Sequence, residues 1–225
     1  MTDNRVCLMR IKYSTQNPLS PKRANAVVYN MFSDFHPIRK GHDCYTKLFS
    51  IKNLRKDGFA LSIQILPERT VKERGEQYGL KIKAVEYSVE RKMPDLSDVK
   101  GFEIRFTSPT SFYYNGIDVP YFDPYIFWQG ALCTYKKLKE REPLLNAKAI
   151  MQIARLEQCE CKTEKLMLDD NIPFSGFTGA AKFNFTKFTP CEAKIFMYCL
   201  LEMLEYMGAG RKTGWGMGNV EFNLL

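Results

Sequence analysis

The residues best suited to chemistry lie near the end of the chain, in Met207-Gly-Ala-Gly-Arg-Lys-Thr-Gly-Trp-Gly-Met-Gly-Asn219. Five glycines, Gly208, Gly210, Gly214, Gly216 and Gly218, surround the basic pair Arg211 and Lys212. Glycine adopts positive φ without strain and lets the backbone approach a ligand closely. Successive backbone N–H groups in such a segment can cup a phosphate, and the two cations add charge to the cup. A helix C-cap followed by a glycine-weakened strand is the plainer alternative. It accounts for Gly208 but not for the other four. A dinucleotide-binding loop fails on context, because that fingerprint follows a strand and opens a helix. Here a helix precedes the loop and a strand follows it.

Other reactive groups are few. The chain has two histidines, His36 and His42, and seven cysteines. Cys159 and Cys161 form a C-x-C, and Cys191 and Cys199 share one predicted helix. None has the paired C-x-x-C spacing of a zinc site, so the cysteines read as small core residues and no metal or cofactor is expected.

The elements that must position the loop follow one order twice. Residues 5–13 read as a strand, with Val6, Leu8 and Arg10 on one face. Ser20-Pro21 opens a helix, serine as N-cap and proline at the first position. Its apolar residues Ala24, Val27, Val28, Met31 and Phe35 recur at helical spacing. Strands over 48–51 and 59–65, separated by a polar stretch from Lys52, precede a short polar helix over 67–77 and a strand over 80–89. The second half opens with alternating Phe102, Ile104 and Phe106, and Ser108-Pro109-Thr110 turns the chain. Asp123-Pro124 repeats the cap, and Trp128, Ala131, Leu132, Tyr135 and Leu138 mark a helix face. Strands follow over 149–156 and 177–185. Thr189-Pro190-Cys191-Glu192 reads as a capping box with Pro190 at the first position. Its helix carries Phe196, Cys199, Leu200, Met203 and Met207, Gly208 ends it, and 215–222 is the last strand.

This is β-α-β-β-α-β in each half, the split βαβ motif. The fold class expected is α+β: two tandem ferredoxin-like, RRM-like domains over residues 1–95 and 96–225. Fold alone names no chemistry. Composition narrows the field. With 225 residues, 45% hydrophobic and 26% charged, the chain is globular and not disordered. A net charge of +8 suits a polyanionic partner. No apolar run approaches the roughly 20 residues of a membrane span. The start lacks the apolar region of a signal peptide, so a reducing cytoplasm with free thiols is the expected compartment.

Several segments carry a resemblance to a known family. Phe174-Ser-Gly-Phe-Thr-Gly179, the capped helix, and Gly208-Ala-Gly-Arg-Lys-Thr-Gly-Trp-Gly-Met-Gly-Asn-Val220 are similar to the C-terminal signature of the sixth CRISPR-associated (Cas) protein family. These are repeat-cleaving endoribonucleases of the RAMP superfamily. Phe106-Thr-Ser-Pro-Thr110 and Val119-Pro-Tyr-Phe-Asp-Pro124 resemble the opening of the same domain. The tail alone marks the wider superfamily, including non-catalytic subunits; the combination points to the nuclease.

The N-terminal half resembles the family at Val28-Tyr-Asn-Met31, at His42, and at Lys47-Leu-Phe-Ser-Ile51. The resemblance implies catalytic roles for Tyr29, His42 and Lys47 and metal-independent cleavage of CRISPR repeat RNA. The ribose 2′-OH would attack the adjacent phosphate, leaving 2′,3′-cyclic phosphate and 5′-OH ends. That reaction needs a base, an acid and a cation for the developing phosphorane charge. Histidine handles protons near neutral pH, so His42 is acid or base, with Tyr29 its partner and Lys47 the electrostatic stabiliser. Which of Tyr29 and His42 takes which proton stays open. His36 does not fit the His-to-Lys-Leu-Phe pattern. Plainer readings exist: Tyr29 as a cover on the core edge and Lys47 as a solvated lysine.

Arg39 and Lys40 sit between the candidate tyrosine and histidine, where phosphate contacts would position RNA. Trp215 reads as a base-stacking or a core residue. Lys52, Arg55 and Lys56 extend the basic surface or solvate a turn. The partner expected is CRISPR repeat RNA; effector-complex subunits and a homodimer stay open, and no membrane is expected. The alternative function is a non-catalytic RAMP subunit that binds RNA in an effector complex. A general tandem RNA-binding protein is weaker, because no aromatic RNP1 pattern is present.

Overall fold

Two side-chain caps start the helices that back the two sheets. The computed structural model describes residues 4–32, 49–55, 57–167 and 173–225. The first half runs β1 (Leu8–Thr15), α1 (Pro21–Met31), β2 (Phe49–Arg55), β3 (Gly58–Gln64), α2 (Glu68–Gln77) and β4 (Leu80–Tyr87). The second runs β5 (Gly101–Thr110), β6 (Phe112–Tyr114), β7 (Ile117–Val119), α3 (Pro124–Lys139), α4 (Ala147–Ile153), β8 (Ala154–Met167), β9 (Pro173–Phe185), α5 (Cys191–Met207) and β10 (Val220–Leu224). Ser20 accepts the Arg23 N–H at the start of α1, and Asp123 accepts the Ile126 N–H at the start of α3. Proline follows each cap, where its missing N–H costs nothing.

The sheets are ordered β2-β3-β1-β4 and β10-β5-β9-β8, with every pairing antiparallel. Both orders are those of the ferredoxin-like fold, so the chain is α+β with two such sheets in tandem. Met9, Ile11 and Tyr13 of β1 face a core built with Ala24, Val28 and Met31 of α1. The second core is rich in aromatic rings. Phe102, Phe106, Phe122, Phe127, Trp128, Phe177 and Phe183 meet with centroids 4.6–6.3 Å apart.

Helix α5 joins the halves. It is buried on nearly every side, from Ala193 to Met207, as expected of a helix between two layers. One side packs in the core of its own sheet; another lies across β1, β2 and β3 of the first. Leu8 of β1 accordingly belongs to the second core while its neighbour Met9 belongs to the first. This cover removes the first sheet's open face as an RNA platform of RRM type.

The sequence reading needs five corrections. Residues 147–153 form α4, not the start of a strand; Asn146 caps it by accepting the Ala149 N–H, and Ala147 and Ile150 bury one face. The capping box does not form: α5 begins at Cys191 with no side-chain cap, and the Thr189 hydroxyl donates to the Ile153 carbonyl instead. Ser108-Pro109-Thr110 is not a turn but an irregular stretch of β5, where the pairing with β9 shifts register. Residues 213–215 form a 3-10 turn, and the last strand starts only at Val220. Lys52 lies within β2 rather than in a solvated turn. The hairpin β6–β7 went unread, although Asn115-Gly116, both at positive φ, is a strong two-residue turn signal.

Candidate nucleic-acid interface

Helix α1 presents Tyr29 at its exposed flank, with 42% of the residue accessible, while Ala24, Val28 and Met31 face the core. Asn25 sits one turn earlier on that flank, at the i,i+4 spacing that places side chains side by side. The glycine-rich loop closes against this helix and against β2. A Cβ on Gly214 would stand 2.5 Å from Asn25 Oδ1 and 2.8 Å from the Phe49 ring. A side chain there would have to displace the Asn25 amide and the Phe49 ring. The family-like tail therefore touches the helix carrying Tyr29 and the first residue of the strand after Lys47. His42, Lys47, Arg39 and Lys40, with Lys56, Phe35 and His36, lie outside the described residues.

The loop's backbone donors are largely engaged inside the protein. Gly208 N–H donates to the Leu204 carbonyl, Ala209 to Gly218, Arg211 to Ser111, and Trp215 to Lys212. Gly216, Met217 and Gly218 donate to Thr213, Lys212 and Pro109, and Asn219 donates to the Ser108 hydroxyl. Gly218 adopts φ +69°, and a Cβ there would lie 1.9 Å from the Ala209 carbonyl oxygen. Several glycines thus have an intramolecular reason. What the loop presents outward is mainly side chains. Arg211 pairs with Asp118, its guanidinium 5.2 Å from the Tyr113 ring centroid. Lys212, at left-handed φ, lies 5.3 Å from the Phe174 ring and 5.2 Å from the half-buried Trp215 ring. Burial and the neighbouring Arg211 charge hold its ammonium below the usual lysine range.

The contact between the first sheet and α5 is polar at its middle. Arg10 donates to the Glu205 carbonyl at 2.7 Å and stands 4.4 Å over the Tyr206 ring. Arg91 pairs with Glu205, and Arg5 with the buried Glu202. Lys52 is 6% exposed and donates to the Val220 carbonyl at 3.2 Å, tying β2 to the start of β10. Burial, helped by the charge of Arg10 and opposed by Glu205 and Glu221, pushes its ammonium down to about 7. Unfolding returns it towards 10.5, so between these values the unfolded chain binds the extra proton and stability rises with pH. Lys52→Met is expected to remove that rise. In urea melts the wild-type-minus-variant difference should grow above about pH 7 by up to ~1.4 kcal/mol per pH unit. A difference independent of pH would contradict the buried, neutralised lysine.

The six described cysteines are free thiols. Cys161 donates to the Ala180 carbonyl, and burial pushes its thiol up to about 12, so it stays protonated at neutral pH. Among the described residues no helix is long and apolar enough to cross a membrane.

The family model described as CRISPR-associated endoribonuclease Cas6 matches residues 104–220, which is just over half of the chain and spans most of β5, all of β6 to β9 with α3 to α5, and the glycine-rich loop. A search of curated protein sequences finds no match. Solved structures match over nearly the whole length. A Cas6 product complex aligns with TM-score 0.67 at 16% identity, covering 96% of this chain and 99% of that one. A Cas6 substrate mimic complex gives 0.63 at 15%, covering 97% and 100%. Thermus thermophilus Cas6 gives 0.61 at 15%, covering 96% and 98%. At such identities the neighbours establish the shared fold; the family model, matched over strands, helices and tail together, establishes kinship. The chain belongs to the Cas6 family of CRISPR-associated endoribonucleases.

Proposed function

We propose that this chain cuts CRISPR repeat RNA without a metal ion, using the ribose 2′-OH as nucleophile. The 2′-oxygen forms a bond to the adjacent phosphorus as the bond from phosphorus to the 5′-oxygen breaks. The base takes the 2′-OH proton, and the acid protonates the departing 5′-oxygen. Tyr29 and His42 carry these two transfers, and Lys47 stabilises the charge gathering on the phosphorane. The products are a 2′,3′-cyclic phosphate and a 5′-OH. The nucleophile comes with the substrate, so the protein's task is orientation and proton handling.

One observation supports this reading above others: the glycine-rich loop is interlocked with α1 and β2 at Gly214. RNA held on the loop is thereby delivered to the flank bearing Tyr29. In this reading Arg211 and Lys212 contact phosphates beside the cut, and Gly208, Gly210, Gly214, Gly216 and Gly218 shape the loop that presents them. Arg39 and Lys40 add phosphate contacts between the tyrosine and the histidine. Phosphate contacts of this kind position RNA without reading its sequence.

The direct test incubates the purified full chain with its cognate repeat RNA in excess EDTA. Cleavage at one phosphodiester within the repeat is expected, and a scrambled RNA of equal length should stay intact. Loss of cutting in EDTA would overturn metal independence. Tight binding with no cutting in any buffer would instead assign the chain to non-catalytic RAMP subunits.

A further inference from the structure

Gly208 to Arg211, at the start of the glycine-rich loop, help to line a cleft of about 430 Å³, within the size range of ligand sites. One wall is α3, where Gly130, Thr134 and Lys137 follow one another at i, i+4 and i+7; the other is the β6 strand with Tyr113 and Tyr114; Arg211 closes the mouth. No carboxylate is among the described residues that line it. Asp118 stands just outside and holds Arg211.

Gly130 is the unexplained feature. It sits in the middle of a 16-residue helix, where glycine is disfavoured relative to alanine. No packing among the described residues requires it, because a Cβ added there would meet none of their atoms within 4 Å. Its effect is to leave bare helix backbone along the cleft, so that a flat group can come close to α3. Tyr113, in the facing wall, is 55% exposed. A bare helix wall, aromatic rings and two cations at the rim match a planar heterocycle attached to a phosphate.

We propose that this cleft receives one unpaired nucleotide of the bound RNA. The base lies between Gly130 and the Tyr113 and Tyr114 rings, and its phosphate takes the Arg211 guanidinium from Asp118, with Lys137 beside it. Aromatic stacking of this kind tolerates any base, whereas the phosphate contact is charge-assisted. The assignment rests on the RNA reading above and extends it to the base of the nucleotide whose phosphate Arg211 holds. A single-stranded flank of the repeat, rather than a duplex, is the substrate part it fits, since only an unstacked base can enter.

The test measures affinity for the cognate repeat RNA in the full-length chain, its Gly130→Trp variant and its Tyr113→Ala variant. Gly130→Trp places an indole in the cleft from an exposed helix position, and its thermal melt should match the wild type. Both variants are expected to bind about tenfold more weakly, the scale of one lost base–aromatic stack. An abasic scan then identifies the nucleotide: one position should weaken the wild type by a similar factor and have no effect in Gly130→Trp. Unchanged affinity in both variants would overturn the cleft assignment and leave it to a protein partner, while repeat binding and cutting by the wild type would still stand. An abasic effect of equal size in wild type and Gly130→Trp would also overturn it. Failure of the wild type to bind any repeat RNA would overturn the underlying RNA reading and the cleft with it.

Discussion

In His42→Ala the single-turnover rate of repeat cleavage is expected to fall by roughly 10²–10⁴-fold, the usual worth of a positioned acid or base. RNA affinity should change little, because phosphate contacts rather than the imidazole hold the substrate in this account. The same assay on Tyr29→Phe separates the two proton transfers. That variant keeps the ring on the exposed flank of α1 and removes only the hydroxyl. A large loss in both variants assigns one transfer to each residue. Cleavage by His42→Ala at the wild-type rate would remove His42 from the mechanism and leave the fold and family untouched.

Gly218→Val is expected to destabilise the protein by about 3 kcal/mol or more, through positive φ in a β-branched residue and overpacking. The structural cause is specific: Gly218 is at φ +69°, with the Ala209 carbonyl oxygen 1.9 Å from where a Cβ would stand. Those two residues also close the loop, since Ala209 N–H donates to the Gly218 carbonyl at 2.7 Å. For a chain of this length the melting temperature should drop by roughly 6–12 °C. A melt within about 2 °C of wild type would mean that the loop relaxes freely and that its glycines serve the ligand alone. The expected outcome instead makes the loop a rigid part of the fold, and Arg211 and Lys212 its outward tools.

That result bears on what the sequence could reveal. Local chemistry was readable: Ser20 and Asp123 cap helices as their types and the following prolines predict, and the alternation of Phe102, Ile104 and Phe106 marks a strand. The order of elements in both halves therefore predicted the ferredoxin-like sheets. Short apolar runs misled. Ala149 to Ile153 suit strand or helix, and the deciding feature was Asn146 just before them. Thr189 had the type and spacing of a cap, but its hydroxyl found the Ile153 carbonyl, a partner remote in sequence.

The site was legible in parts and for unequal reasons. The glycines announced a special backbone, yet their count could not say whether ligand or protein required it; Gly214 against Asn25 and Phe49 is a contact between distant segments. Lys52 reads as a surface lysine because lysine is rarely buried and the polar Asn53, Arg55, Lys56 and Asp57 follow it. Its burial depends on α5 covering the first sheet, which no local pattern states. Arg10 is a parallel case, sharing a face with Leu8 and meeting Tyr206 across the same contact. The cleft beside α3 needed the β6–β7 hairpin, whose Asn115-Gly116 turn was present in the sequence as a local signal.

With the RNA's own 2′-OH as the nucleophile, no metal delivers water in its place. A repeat RNA with a single 2′-deoxy nucleotide immediately 5′ of the cut tests it most directly, in EDTA, with the unmodified repeat alongside. The 2′-deoxy substrate should bind undiminished and give no product, and the product of the unmodified one should carry a 2′,3′-cyclic phosphate end. Cleavage of the 2′-deoxy substrate at the unmodified rate would contradict it.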